Sequence, residues 1–292
     1  RSLLQLSELS FKRGDYGLSD SLANQVLVLF PEAEGLDNAH MRRALALQSL
    51  ERYEDSTNEF LQVAEDSPHY ASSRLGAGHQ LLEKGQYDRA LGVLDAGVHS
   101  ADTKQTQSFL YLMAQAHSGQ ANWSEAVRVY GELIEAEPEG DLRVASHLAR
   151  ANAALSNSEL ALAESDLTWV LQSVSDPEKV RYARETLTLL YLKENRSSEA
   201  VGLLESMSQD EAEPAQKAEL LSRIMDSYYA EGLLQETANT ARQILAVEFD
   251  DQPKADRPYG LKEKALFILG EILVRSADNS DGVATLQAYV QQ

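Results

Sequence analysis

Apolar residues recur along the chain at spacings of three and four. Leu110, Met113 and Ala114 form one such stretch, and Val127 and Tyr130 open the next. This spacing puts the apolar side chains on one face of an α-helix. Turn residues interrupt the pattern every 12–18 residues, and no segment shows the sustained alternation of a β-strand. The pattern therefore predicts many short amphipathic helices and excludes long coiled coils.

The predicted helices come in similar pairs. In most pairs a small residue in the first helix is followed, twelve residues later, by a small residue in the second helix. Two small residues at this distance, with a turn between them, let the helices of a hairpin approach closely. The first positions are Ser7, Ala44, Gly78, Ala114, Ala149 or Ala151, Thr188, Met225 (the exception in size) and Gly270. The second positions are Ser19, Ser56, Ala90, Ala126, Ala161 or Ala163, Ala200, Thr237 and Gly282.

Spacing and prolines support one periodicity for these hairpins. Most successive second positions are 34 to 37 residues apart, and the last step is 45. Pro31, Pro68 and Pro138 each follow such a position by twelve residues. Proline is tolerated in the first turn of a helix and disfavoured in its interior, so these residues mark helix junctions.

This pattern resembles the tetratricopeptide repeat. The fullest match reads Ala114, Trp123, Ala126, Tyr130 and Pro138, and weaker matches cover nearly the whole chain. The resemblance implies an all-α solenoid of about eight helix-turn-helix repeats, which form one right-handed superhelical domain over residues 1–292. An irregular loop over 250–258 interrupts the series. The expected repeats are 1–35, 36–69, 70–103, 104–140, 141–176, 177–213, 214–257 and 258–292.

By the family pattern, positions 2, 5, 9 and 12 of each first helix face a concave groove. These positions carry a mixture of aromatic, amide and acidic side chains, which suits an extended peptide or a partner helix. Leu45, Leu75 and Leu189 also occupy groove positions, but burial between repeats explains them as well as partner contact does. The predicted partner-binding residues are His79, Tyr111, Gln115, Asn152, Tyr182, Glu185, Asp226 and Tyr229.

Motifs of catalysis and metal binding are missing from the sequence. It contains neither a phosphate-binding P-loop nor a dinucleotide-binding glycine motif. No two of its six histidines are three or four residues apart, so no helix presents a local metal-binding pair. The acidic pairs fall at helix ends and turns, where water solvates the carboxylates and no apolar pocket shifts their pKa values. We therefore expect no enzyme activity, no metal and no cofactor.

Charge and composition limit the classes of partner and the cellular compartments that fit this chain. The net charge is -20, which disfavours nucleic acid and anionic membranes and favours a basic protein or peptide. No apolar run approaches the ~18 residues of a membrane span. The chain has no cysteine, which is common in bacterial envelope proteins. This favours a periplasmic or otherwise extracytoplasmic location, and a cytoplasmic one stays open.

These observations favour a non-catalytic scaffold that holds a peptide or a partner protein in its groove. Its similarity to long repeat scaffolds suggests bacterial envelope assembly or polysaccharide export. Two alternatives remain: a recruitment region of a larger enzyme or outer membrane pore protein, and a groove for a carbohydrate or another small ligand.

Both ends of the predicted solenoid carry apolar residues without a polar capping helix. Exposed apolar strips usually mark a missing neighbour or an association surface. We therefore expect further repeats in a longer protein, or end-to-end self-association of the chain. The residues concerned are Leu3, Leu4, Leu6, Leu9 and Phe11 at one end, and Val283, Leu286, Tyr289 and Val290 at the other.

Overall fold

The computed structural model describes residues 2–211, 213–251, 260–275, 283–285 and 287. These residues form fifteen α-helices and no β-strand, which confirms the all-α prediction. Most of the predicted loop 250–258 and the last second position, Gly282, lie outside the described residues. In chain order the helices are α1 (Ser2–Lys12), α2 (Tyr16–Leu29), α3 (Leu36–Ser49), α4 (Tyr53–Leu61), α5 (Tyr70–Glu83), α6 (Tyr87–Val98), α7 (Thr103–Gly119), α8 (Trp123–Glu135), α9 (Gly140–Ser156), α10 (Leu160–Ser173), α11 (Pro177–Lys193), α12 (Ser197–Asp210), α13 (Pro214–Ala230), α14 (Leu234–Ala246) and α15 (Leu261–Arg275).

The chain divides into two compact units, residues 1–163 and 164–292, and the boundary falls within α10. In the first unit each helix from α1 to α9 packs on the next one, and α1 also contacts α3 while α5 contacts α7. In the second unit the helices from α11 to α15 pack in the same consecutive way, and α13 also contacts α15. Helical hairpins are therefore stacked within each unit, with first helices beside first helices, as in an α-solenoid.

Each of the seven hairpin turns in the described part of the chain contains one residue in the left-handed conformation. After this residue, a backbone N–H returns to a carbonyl five residues earlier, as from Arg52 to Leu47 (2.9 Å) and from Asn122 to His117 (2.9 Å). This bond satisfies a carbonyl at the end of the first helix and reverses the chain, as in a Schellman motif. The left-handed residues are Gly14, Glu51, Gly85, Ala121, Ser158, Asn195 and Gly232.

The turn series also fixes the register of the fifth repeat. Each left-handed residue precedes the second small position of its hairpin by five residues, as Ala121 precedes Ala126. In the fifth repeat the left-handed residue is Ser158, which selects Ala163 and hence Ala151. Both alanines are fully buried. The alternative pair, two residues earlier, is therefore wrong.

The small positions allow the close helix contact expected of them. The Ser7 hydroxyl donates to the Ser19 carbonyl oxygen (2.8 Å), and the Ser56 hydroxyl donates to the Ala44 carbonyl oxygen (2.7 Å). Both bonds join the two helices of one hairpin inside the core. Met225 is also completely buried, in the apolar core of the second unit, so its larger side chain replaces a small residue without being exposed.

Local capping explains where α7 begins. Asp102 lies where several other repeats carry proline, twelve residues after the second small position. Its carboxylate accepts a hydrogen bond from the Gln105 backbone N–H (2.8 Å), and the Gln105 side-chain oxygen accepts one from the Asp102 N–H (3.1 Å). This reciprocal capping box satisfies donors that a helix leaves unpaired at its start. Asp102 therefore marks the junction between two repeats by a capping box, where other repeats use proline.

Candidate partner-binding surfaces

In the first unit the predicted groove residues differ in exposure. His79 on α5 and Asn152 on α9 are exposed, whereas Tyr111 and Gln115 on α7 are half-buried. The Tyr111 ring packs edge-on against the buried Tyr130 ring, with centroids 6.0 Å apart. Burial raises the pKa of Tyr111, and a hydrogen bond with the Gln115 side chain opposes that rise. Tyr111 therefore belongs in part to the core between α7 and α8.

The three leucines at groove positions also differ in exposure. Leu45 packs against the core formed by Ala44, Phe60 and Ala77, and Leu75 packs against the core that contains Phe109. Leu189 on α11 is instead 61% exposed. Leu45 and Leu75 are therefore packed against the core, as burial between repeats predicts. For Leu189 that prediction is wrong, because its side chain is exposed.

In the second unit, α11 presents three predicted residues on one face. Tyr182, Glu185 and Leu189 follow one another at intervals of three and four, so their side chains line up along the helix. All three are exposed, and Tyr182 has 41% of its surface accessible. This face of α11 (Tyr182, Glu185 and Leu189) is called the α11 stripe below.

On α13 the predicted residues already bond within the protein. The Asp226 carboxylate accepts from the Lys264 ammonium on α15 (2.5 Å), and the Tyr229 hydroxyl donates to the Glu271 carboxylate, also on α15 (2.8 Å). The hydrogen bond to Glu271 raises the pKa of Tyr229, since it favours the protonated phenol. A partner that contacts Asp226 or Tyr229 must bind beside these bonds or replace them.

A cleft of about 470 Å³ opens in the first unit beside the turn between α3 and α4. Its buried part is Gln80, whose amide donates to the Ser56 hydroxyl (2.9 Å) and accepts from the Thr57 hydroxyl (2.7 Å). The predicted groove residue His79 also lines it. This cavity is called the Tyr53 cleft and is lined by Gln48, Tyr53, His79, Gln80, Glu83 and Lys84.

At the end of the first unit that begins the chain, the predicted apolar residues are only partly covered. Leu6 and Leu9 on α1 are exposed, and Leu3, Leu4 and Phe11 are half-buried. At the other end Val283 is exposed, and residues 286, 289 and 290 lie outside the described part of the chain. Continuation of the solenoid and self-association stay predictions.

The family model of the tetratricopeptide repeat matches residues 109–140, which cover most of α7 and all of α8. The chain therefore contains at least one tetratricopeptide repeat, residues 109–140. No curated protein sequence gives a significant match. Tetratricopeptide repeats commonly mediate protein–protein interactions, and their fold is typically a non-catalytic scaffold.

Several solved structures share this fold at low sequence identity. The C-terminal part of a TPR repeat-containing protein from Cytophaga hutchinsonii aligns with a TM-score of 0.65 at 14% identity, over 84% of this chain and 95% of that one. A tetratricopeptide repeat protein from Parabacteroides merdae aligns with a TM-score of 0.57 at 12% identity, over 93% and 98%. MamA from Desulfovibrio magneticus RS-1 aligns at 0.51 and 19% identity, over 60% and 96%. At these identities the similarity concerns the fold alone.

The eighth predicted repeat contains groove positions that the sequence interpretation missed. Counting from Gly270 as in the earlier repeats assigns positions 2, 5, 9 and 12 to Lys264, Phe267, Glu271 and Val274. Phe267 and Val274 are 46% and 39% exposed. The signal was present in the repeat pattern, because the sequence had already assigned Gly270 as the first small position of this repeat.

Metal sites and membrane spans can be assessed for the described part of the chain. Among its residues, no three His, Asp or Glu side chains gather in a way that could hold a metal ion. None of the described helices combines the length and the hydropathy needed to cross a bilayer.

Proposed function

We propose that this tetratricopeptide repeat protein is a non-catalytic scaffold that binds a segment of a partner protein along its first helices. The observation that carries the proposal is the exposure of large apolar side chains at groove positions of the second unit. Tyr182 and Leu189 lie at such positions on α11, and Phe267 and Val274 lie at such positions on α15. Apolar side chains grouped on a surface are typical of interaction sites.

The helices that carry these side chains, α11 and α15, each contact α13 within the second unit. Arg181 on α11 donates to the Gln216 side chain on α13 (3.2 Å). On its other side α13 is joined to α15 through Lys264 and Glu271. These contacts support the proposal that groove positions of three successive first helices form one surface for an extended peptide or a helix.

Charge favours a basic partner for this surface. Glu185, Asp226 and Glu271 occupy groove positions, and each has a basic residue within 4 Å in the protein: Arg181, Lys264 and Arg275 in turn. The preference for a basic partner therefore comes from the net charge of -20 and not from unpaired groove carboxylates. Complementary charge raises the rate of association and selects among partners more than it adds affinity. We therefore propose a basic segment with aromatic or aliphatic anchors.

The test uses peptides of random sequence displayed on phage and selected on the intact protein. Selected peptides are then measured against Leu189→Ser and against the control Leu234→Ser. Leu234 is also exposed, but it lies on the second helix of its hairpin. We expect Leu189→Ser to weaken binding about tenfold or more, because anchoring side chains dominate interface energies. Equal affinities for both variants would refute the proposed surface.

We further propose an extracytoplasmic role in a bacterial envelope, in assembly or polysaccharide export. A chain with no cysteine in its 292 residues is compatible with an oxidising compartment, because it has no thiol that could form an unwanted disulfide. Fractionation of the source cells, followed by immunoblotting, is the test. Recovery of the protein with the cytosolic fraction would contradict the proposed location and leave the scaffold proposal intact.

A further inference from the structure

We propose that the Tyr53 cleft seats one arginine side chain of the partner, and that it does so separately from the α11 stripe. The inference rests on the proposed scaffold function, since it names a chemical feature of the bound segment. The cleft lies in the first unit and the stripe in the second, so each can be tested without the other.

The lining of the cleft is rich in groups that attract a guanidinium ion. Tyr53 opens α4 with 44% of its surface exposed, which leaves its ring available for stacking. Glu83 supplies a carboxylate, and Gln48 supplies an amide oxygen. A planar cation with five N–H donors can stack on an aromatic ring while it donates to several oxygens at once.

The buried amide of the cleft is held in a fixed orientation. Ser56 and Thr57 bind both ends of the Gln80 amide group. This bonding leaves Gln80 only 3% exposed, so its amide forms a rigid floor of the cleft. A rigid floor lowers the entropy cost of ordering a ligand against it. Arginine fits such a site better than lysine, because its planar guanidinium can donate hydrogen bonds to several separated acceptors at once.

The same chemistry already occurs elsewhere in this protein. The Arg196 guanidinium lies 4.3 Å from the centre of the Tyr191 ring and donates to both oxygens of the Glu164 carboxylate (2.8 and 2.9 Å). A tyrosine ring and a carboxylate thus hold an arginine within the second unit. The Tyr53 cleft offers the same pair of groups, Tyr53 and Glu83, to an arginine from outside.

Lys84 is the one lysine or arginine that lines the cleft, and it gives the proposal a discriminating test. It follows the last residue of α5 and is exposed. If the occupant is a cation, removal of the Lys84 charge must strengthen binding, and removal of the Glu83 charge must weaken it. An anionic occupant, such as a carboxylate, requires the opposite signs.

The experiment titrates the intact protein with Nα-acetyl-arginine methylamide and follows backbone amide shifts by NMR. The controls are the citrulline analogue, which has the same shape without the charge, and Nα-acetyl-aspartate methylamide. We expect saturable shifts at residues 48–53 and 79–84 with the arginine probe only. Tyr53→Leu and Glu83→Gln should each weaken binding threefold or more, and Lys84→Gln should tighten it. Glu54→Gln, which removes a neighbouring charge outside the cleft lining, should change the affinity less than twofold.

Three results would overturn the inference: no saturable shift with the arginine probe, equal binding of citrulline, or stronger binding of the aspartate probe. Circular dichroism of each variant checks that the helices are retained. If the displayed peptides still bind through Leu189 while the arginine probe does not bind, this inference fails and the scaffold proposal stands. If the probe binds the cleft but no displayed peptide depends on Leu189, the proposed α11 stripe fails instead.

Discussion

Gly97 lies where α6 meets both α5 and α7. A Cβ atom built on Gly97 would come within 2.5 Å of the Arg74 Cβ and 2.7 Å of the Phe109 ring. The Arg74 Cβ is fixed to the helix backbone, and Phe109 is fully buried, so a change of rotamer cannot remove the clash. We predict that Gly97→Ala forces α6 away from its neighbours and destabilises the first unit.

The expected magnitude follows from two opposing effects. An extra methyl group in a closely packed core costs about 1–3 kcal/mol. Alanine is the better helix former by up to ~1 kcal/mol, and this gain is smaller at the penultimate residue of a helix. The net loss should be about 1–2 kcal/mol. A Cβ atom added to Gly92 in the same helix would meet no atom within 4 Å, so Gly92→Ala should gain about 0.5–1 kcal/mol.

Urea unfolding followed by far-ultraviolet circular dichroism measures both variants against the parent protein. The midpoint should fall for Gly97→Ala and rise for Gly92→Ala, with the two free energies differing by about 2 kcal/mol. A Gly97→Ala protein as stable as the parent would show that α6 does not approach α5 this closely. A loss of stability in Gly92→Ala would show that helix propensity does not govern the exposed face.

Three further predictions concern a turn, a cap and a half-buried histidine. Ala121 adopts φ 56°, a conformation costly for non-glycine residues by ~1–2 kcal/mol, so Ala121→Gly should raise the urea midpoint, and a fall would contradict the turn geometry. The Arg74 guanidinium donates to the Phe60 and Val63 carbonyl oxygens (2.8 and 3.0 Å) at the end of α4. Arg74→Met should therefore cost about 2 kcal/mol in the same assay, and a change below about 0.5 kcal/mol would show that the cap is unimportant. Burial lowers the pKa of His117 below 6.5, so the unfolded chain binds its proton first, and stability should fall as the pH drops below about 6.5. His117→Gln should reduce that fall, and an unchanged pH dependence would refute the assignment.

The sequence alone determined the helices and their period, because both depend on local interactions. The hairpin of Ala114 and Ala126 could be recognised from two small residues, the turn between them and the Pro138 that follows. Hydrogen bonds within a helix and within a turn span only three to five residues, so residues close together in the sequence determine both. In the fifth repeat the local sequence was ambiguous, since alanine occupies both candidates for each small position. The backbone conformation of Ser158 decided the register.

Only the tertiary structure decided which groove residues are open to a partner. Leu75 and Leu189 are the same residue type at groove positions, yet one packs on a core and the other is exposed. Asp226 and Lys264 are 38 residues apart and meet because one first helix packs beside the next. Such contacts depend on the rotation and separation of helices one repeat apart. Those quantities arise from the summed packing of many side chains, which no short stretch of sequence contains.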